Sequence, residues 1–366
     1  MKFMIIKQIE VYKTDIELNG ELHSAHTRYQ VTEDIYIKII TDEDVTGYGA
    51  TAPKYYITGE TQETVIAVLK KRIIPAILGE DPFSLEKIHD KMDHAIKGNT
   101  AAKAAIDIAL YDLMGKYLRV PVYQLLGGLY RKEMPAFDLI GLVTPEEAAQ
   151  KAAQQLKGGY REFKVKVGPN SDLDLKRVKA VSEVIKGIPL KVDANQAWKG
   201  KQAVYLTQRF AELGVNVVEQ PVHMDDLEGL LAVKNGCPQV EVMADESIKS
   251  LTDALRLIKY QAVDLFNLKL VKTGGLYPAK KIAVLAEAAN MDCMAGCTIQ
   301  NTLIDAATAH FLASTRNVVY NEIKSPQWIK NDFATGLKII EGMVIVPVGI
   351  GIGLEIDEER LTSYKV

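Results

Sequence analysis

Eight short runs rich in apolar and β-branched residues recur through the middle of this chain, and that recurrence limits its possible folds more than any other feature. They are MPAFDLIG (134–141), YREFKVKV (160–167), LKVDAN (190–195), VNVVEQ (215–220), VEVMADE (240–246), VDLFNLKL (263–270), MDCMAG (291–296) and NVVYNEI (317–323). Each is followed by a helix-like stretch, with a repeat of about 26 residues. A strand followed by a helix at this pace needs parallel neighbours, because the helix returns the chain to the same end before the next strand starts. Eight such units favour a closed barrel over an open sheet. The expected fold is therefore α/β, a (β/α) TIM-type barrel.

The first part of the chain reads differently. Alternating strands are expected at about 4–14 and 29–40, then apolar-periodic helices near 63–78, 85–96 and 100–117. This predicts an α+β capping domain over 1–125 and a catalytic barrel over 126–336. The tail from 337 to 366, with Gly349, Gly351 and Gly353, leaves the repeat and is expected to pack back on the capping domain.

In a barrel of this kind, chemistry gathers at the C-terminal ends of the strands. Lys164 and Lys166 end one run; Asp193, Glu219 and Asp245 end the next three; Lys269 and Glu322 end later ones. Three carboxylates at matching places on successive strands repel one another unless a cation lies among them, and oxygen-only ligands favour Mg²⁺ over zinc or copper. Any one of them alone would fit a helix cap or a surface ion pair; the repetition in consecutive units argues for the metal. Lys166 and Lys269 stand on strands separated by three others, hence on opposite sides of the mouth. An amine beside a cation loses basicity, so both are expected to act as bases near neutral pH. That geometry suits removal of a proton from one face of a carbon next to a carboxylate and its return on the other.

Other classes fall away. A net charge of −3 with lysine and arginine spread along the chain gives no basic stripe for nucleic acid. No apolar run approaches a membrane span, and the N-terminal MKFMIIKQIEVYK is too interrupted for a signal peptide, which points to the cytoplasm. Cys237, Cys293 and Cys297 form no C-x-x-C pair and are read as free thiols. His223 and His310 lack a serine or cysteine partner at a recognisable spacing, and KTGG (272–275) matches no phosphate loop and is read as a turn. Trp198 and Trp328 follow strands and either line the pocket or fill gaps under loops.

Taken together, FKVKVG (163–168), VDANQAW (192–198), VEQPV (218–222), MADES (243–247), NLKLVKTGG (267–275) and ITGET (57–61) resemble the muconate-lactonizing subgroup of the enolase superfamily. Within it the chain looks most like the dipeptide epimerases, relatives of L-Ala-D/L-Glu epimerase. The resemblance implies a homo-oligomeric isomerase that binds one Mg²⁺ per subunit and epimerizes a small-molecule substrate, a dipeptide, by 1,1-proton transfer at the α-carbon of its C-terminal residue. Lys166 and Lys269 would be the paired acid and base, with Lys164 an electrostatic helper. Asp193, Glu219 and Asp245 would bind the metal, and Asn195, Gln220 and Glu246 would support them.

Substrate contacts implied by the same resemblance are Thr27, Arg28, Tyr56, Ile57, Cys297, Thr298, Ile299, Glu322 and Lys324. His23, His26, Lys54 and Tyr55 lie on the two expected lid loops. Three places depart from the family's pattern. Glu322-Ile323-Lys324 replaces the Asp-x-Asp pair that holds a dipeptide's ammonium, Gln300 stands where a glutamate is frequent, and Thr27 stands where an arginine would receive a glutamyl side chain. Lys324 would either favour a substrate with an extra acid group or pair with Glu322. These departures keep cycloisomerization, dehydration, N-acyl amino acid racemization and an inactive metal-binding protein in view.

Overall fold

The structure, a computed structural model, describes residues 4–23 and 28–366, with backbone alone at 21–23 and 28. Three antiparallel strands open it: β1 (Ile6–His23), β2 (Arg28–Thr41) and β3 (Thr46–Thr51). Alternation in β2 buries Ile35, Ile37 and Ile39 against helix Thr100–Leu118. That helix is buried on nearly every side from Ala101 to Gly115, which explains its continuous run of alanine, isoleucine and leucine. Gly49 in β3 lets the two backbones meet, since a Cβ there would overlap the Ala105 carbonyl. The helix expected at 63–78 is interrupted. It runs as α-helix Gln62–Val68, widens to a π-helical turn over Leu69–Ile73, and resumes at Ile74–Ile77. Pro75, which has no N–H to give to the turn before it, sits at that junction.

After a short strand β4 (Glu133–Pro135) come eight parallel strands in sequence order: β5 (Phe137–Ile140), β6 (Glu162–Lys166), β7 (Leu190–Asp193), β8 (Val215–Glu219), β9 (Glu241–Ala244), β10 (Leu265–Leu268), β11 (Asp292–Ala295) and β12 (Val318–Asn321). Each expected run contains one of them. The sheet curls until its first and last strands face each other. Asn321 Nδ2 donates to the Pro135 carbonyl at 2.7 Å, and Lys324 Nζ, just past β12, donates to Asp138 Oδ1 of β5 at 3.2 Å.

The barrel interior is layered. Val217, Met243, Leu265 and Met294 form an apolar floor with Tyr320 packed on it. Val217, Met243 and Tyr320 lie two residues below Glu219, Asp245 and Glu322, and Leu265 four below Lys269, so the same face that is apolar at the floor turns polar at the mouth. Lys191 lies two residues below Asp193, buried at 1% exposure. It pairs with Glu162 at 2.7 Å, and its ammonium lies 3.8 Å from the centre of the Tyr320 ring.

The tail divides. Strands β14 (Lys338–Ile340) and β15 (Met343–Ile345) form a hairpin that adds to β4 rather than to the N-terminal sheet. Beyond it, β16 (Glu355–Ile356) pairs with β13 (Ala334–Thr335), and Ile352 N donates to Asp112 of helix Thr100–Leu118. The last residues run along β1, where Lys13 N donates to the Tyr364 carbonyl and Val366 N to the Val11 carbonyl, both at 3.0 Å. Among the described residues, no helix is long and apolar enough to cross a membrane.

Candidate active site

Parallel register brings the charged strand ends side by side: Lys166 is opposite Asp193, and Asp193 opposite Glu219. Asp245, Lys269 and Glu322 follow immediately after β9, β10 and β12. They surround a cavity of about 220 Å³, whose wall includes Lys164, Lys166, Asp193, Asn195, Asp245, Glu246, Lys269 and Glu322.

The ammonium groups interleave with the carboxylates. Lys166 Nζ donates to Asp193 Oδ2 at 2.5 Å and to Asn195 Oδ1 at 2.6 Å. Lys164 Nζ donates to Glu219 at 2.8 Å and to Glu322, and lies 3.5 Å from Asp193. Across the mouth, Lys269 Nζ donates to Asp245 Oδ2 at 2.6 Å. Lys272, which sequence reasoning passed over as part of a turn, donates to Asp245 Oδ1 at 2.6 Å and also to the Asp245 carbonyl. It follows Lys269 by three residues, one helical turn, and that spacing was the signal available.

Contacting carboxylates govern the basicity of two of these lysines. Burial alone would lower the basicity of Lys269, but the charges of Asp245, Glu322 and Glu219 outweigh burial and hold its pKa above the ordinary lysine range. Lys164 is likewise pushed well up, burial being overcome by Glu219, Glu322 and Asp193.

The acids diverge for the same reason. Burial raises Asp245 and Asp193, but Lys269 and Lys272 pull Asp245 far down, and Lys166 and Lys164 pull Asp193 down. Glu219, fully buried and facing Asp193, Glu322 and Asp245 with too little positive charge, is pushed up to about 8. Glu246 is pushed up to about 7 by burial, Asp245 and Asp193. Five carboxylates (Asp193, Glu219, Asp245, Glu246, Glu322) face four ammonium groups (Lys164, Lys166, Lys269, Lys272), a formal excess of one negative charge.

Among the described residues, no three acidic, histidine or cysteine side chains converge as a metal cage, because the lysines lie between the acids. The donor chemistry nonetheless fits a hard divalent cation. The candidates are all carboxylate oxygens, the strand ends hold formally one more acid than ammonium, and Glu246 Oε2 is buried with no partner.

The supporting groups are bonded as supports. Gln220 does not reach the cavity; its Oε1 accepts from Asp245 N at 2.9 Å and Ser247 N at 3.1 Å. Asn195 Nδ2 donates to Glu246 Oε1 at 3.2 Å, and Asn267 Nδ2 to Glu219 Oε1 at 2.6 Å. Asn195, Gln196 and Gln220 all take left-handed backbone angles, uncommon for residues with side chains and frequent where a site is held in a set shape.

Of the expected substrate contacts, Tyr56, Ile57, Cys297, Thr298, Ile299 and Glu322 line the cavity. Thr27 and His26 lie outside the described residues, as do the side chains of Arg28 and His23. Lys324 does not line the cavity and does not pair with Glu322. Its ammonium is buried between Asp138, Gln327 and the Tyr160 ring, because the third residue after β12 points across the seam rather than into the mouth. Gln300 is also turned away, donating to Asp305 at 2.7 Å. Lys54 is buried, donating to Thr32 at 3.2 Å, and Tyr55 is exposed. Trp198 fills a gap, its ring N–H on the Gly168 carbonyl, whereas Trp328 lines the cavity. Phe137, Leu139, Val143 and Lys151 line it too and were not anticipated.

Residues 8–127 match the mandelate racemase / muconate lactonizing enzyme N-terminal domain, and residues 147–360 match the enolase C-terminal domain-like family. The chain belongs to the enolase superfamily. Within this superfamily, it is 35% identical over 365 residues to an N-succinyl-L-Arg/Lys racemase from Bacillus cereus, covering 99% of this chain and 98% of that one. The crystal structure of that racemase superposes with a TM-score of 0.95. The chain is 38% identical over 355 residues to a hydrophobic dipeptide epimerase from Enterococcus faecalis, covering 96% and 99%. A crystal structure of that epimerase complexed with Mg and the dipeptide L-Leu-L-Tyr gives a TM-score of 0.92 at 37% identity and the same coverage. L-Ala-D/L-Glu epimerase from Bacillus subtilis is 33% identical over 96% of this chain and 97% of its own length. These superfamily relatives are isomerases, and so is this chain.

Proposed function

We propose that this isomerase inverts the α-carbon of an N-acylated amino acid, a dipeptide in the leading reading, by moving its α-proton between Lys166 and Lys269. The observation that carries the proposal is the placement of these two amines on strands separated by three others, both lining one cavity. One lysine, unprotonated, takes the α-proton; the other, protonated, delivers a proton to the opposite face, and the reverse reaction exchanges their roles. Lys164, fixed as an ammonium, lies beside the position where negative charge grows on the substrate carboxylate. Asp193, Glu219 and Asp245 would hold one Mg²⁺, which when bound supplies positive charge to the same carboxylate oxygens. That charge also offsets the excess of acid at the strand ends, and the Enterococcus faecalis epimerase was crystallized with Mg and a dipeptide.

A second reading, racemization of an amino acid acylated by something other than an amino acid, is favoured by the seam. Lys324 occupies Asp138, and Glu322 is occupied by Lys164 and by Cys297 N at 3.0 Å, so the side of the cavity next to β12 offers no uncommitted carboxylate to a dipeptide's ammonium. Incubation with Mg²⁺ in D₂O against paired L,L-dipeptides and N-acyl amino acids tests both. Deuterium at the α-carbon of dipeptides supports the first, deuterium only in N-acyl compounds the second, and unimpaired inversion of the α-carbon in Lys166→Ala or Lys269→Ala refutes the shared mechanism.

A further inference from the structure

The turn that presents Lys269 is clamped from the N-terminal part of the chain by a buried acid. Lys269 immediately precedes the helical turn Leu270–Thr273, and helix Leu276–Ala288 begins after Gly274 and Gly275. Lys272 N and Thr273 N donate to the Lys269 carbonyl at 2.9 and 3.0 Å, and Gly274 N and Gly275 N to the Leu270 carbonyl at 3.0 and 2.9 Å, so the chain from Lys269 to Gly275 is one bonded unit. The start of helix Leu276–Ala288 needs acceptors for its first N–H groups, and its N-cap, Gly275, has no side chain to supply one. Asp107, fully buried in helix Thr100–Leu118, supplies two. Its Oδ1 accepts from Leu276 N, and its Oδ2 from Tyr277 N at 3.3 Å.

Two further contacts fix that carboxylate. His89 Nε2 is hydrogen-bonded to Oδ2 at 2.8 Å, and the His89 ring centre lies 5.0 Å from that of Tyr277. Gly275, at a φ of +117°, lies directly against the acid, where a Cβ would overlap the Asp107 carboxyl group. Lys166 is held differently, from within the barrel. Arg177 Nη1 donates to its carbonyl at 3.2 Å, and Val167 N to the Asp193 carbonyl at 3.0 Å. A disturbance at Asp107 therefore reaches Lys269 before it reaches Lys166.

Resting on the α-carbon reading above, we propose that Asp107 is a positioning residue for proton transfer on one face of the substrate, setting the reach of Lys269 by clamping Gly275 and Leu276 while leaving Lys166 in place. His89 steadies the clamp.

The test follows loss of the α-hydrogen in D₂O by ¹H NMR, from each epimer separately, using N-acetyl-L-leucine and N-acetyl-D-leucine, and L-Ala-L-Leu and L-Ala-D-Leu, with the full-length, Mg²⁺-supplied protein. Lys269→Ala identifies the epimer whose α-hydrogen Lys269 takes, because exchange through Lys166 continues from the other. In Asp107→Ala, exchange from that same epimer should fall relative to the other by about tenfold or more, the scale of a misplaced acid–base group. Asp107→Asn, which keeps an acceptor for Leu276 N, should restore most of the ratio. A loss of folded protein lowers both epimers alike, so equal falls, or an unmoved ratio, overturn the proposal. If Asp107→Ala does not fold, His89→Phe, which keeps a ring on Tyr277 and removes the bond to Asp107, is judged by the same ratio. If the native protein exchanges none of these compounds, the α-carbon reading has failed for them rather than the clamp. Amide hydrogen exchange read by mass spectrometry then decides: Asp107→Ala or His89→Phe should speed exchange across residues 269–277 by about fivefold or more, the scale of a lost helix cap, with residues 162–167 unchanged. Native protection across 269–277 overturns the clamp.

Discussion

Lys324→Met should weaken the barrel at the seam where its sheet closes. Lys324 and Asp138 have side chains 1% and 9% exposed, at 3.2 Å. Removing one partner of a buried pair leaves the other charged and unsatisfied, which costs about 3–5 kcal/mol, whereas replacing both with apolar groups of similar size is often close to neutral. The loss belongs at the upper end, because the ammonium also donates to Gln327 Oε1 at 3.1 Å and lies 4.4 Å from the centre of the Tyr160 ring. Asp138→Leu alone should cost a similar amount, and the double variant Asp138→Leu/Lys324→Met should recover most of it. Both tryptophans of the chain, Trp198 and Trp328, lie within the residues of the strand–helix repeat, so their fluorescence in a urea titration follows that part of the molecule. A loss under about 1 kcal/mol for Lys324→Met, or a double variant no more stable than the worse single one, would refute the reasoning.

Three further outcomes follow from other residues. Lys166→Ala and Lys269→Ala should each lower the rate of α-carbon inversion by about 10²–10⁴-fold, read by chiral chromatography of the product; near-native inversion in either removes it from proton transfer. Gly296→Ala should destabilize by about 1–3 kcal/mol, read by thermal unfolding, because the new methyl overlaps the Asn267 amide that holds Glu219; a gain in stability would contradict the packing. His310, buried in helix Thr302–Ala313 and kept neutral by that burial, has its pKa pushed down from 6.5 to about 4. Its contribution to stability is complete above pH 6.5 and is lost as pH falls toward 4, by up to about 3 kcal/mol; an identical acid slope in His310→Gln would exclude this histidine as the source.

The barrel strands were legible because the period of the apolar runs and the short strand lengths agree, and each run contains a strand. The strand-end charges were legible for the same reason, since alternation fixes which face a residue takes. Partnership was not. Alternation does not say that Lys272 turns back onto Asp245, that Lys324 crosses to Asp138, or that Lys151 reaches the cavity from within a helix. Each depends on where a long, flexible side chain finds an acid or a wall supplied by a distant segment. The hairpin at 338–345 was hidden likewise, because its partner β4 is three residues long and lies more than 200 residues earlier in the chain. The effect of Asp245, Glu322 and Glu219 on the basicity of Lys269 was not legible, because it is determined by neighbours from other strands.

The seam also has a place in time. Asp138 and Lys324 are 186 residues apart, so their contact closes a loop spanning half the chain, and such contacts are costly in entropy until the intervening strands are in place. Ring closure should therefore come after the folding barrier, with the strands from β6 to β11 already side by side. On that ordering Lys324→Met speeds unfolding and leaves the refolding rate nearly unchanged. The joint that completes the ring is then a latch on its lifetime rather than a seed of its assembly.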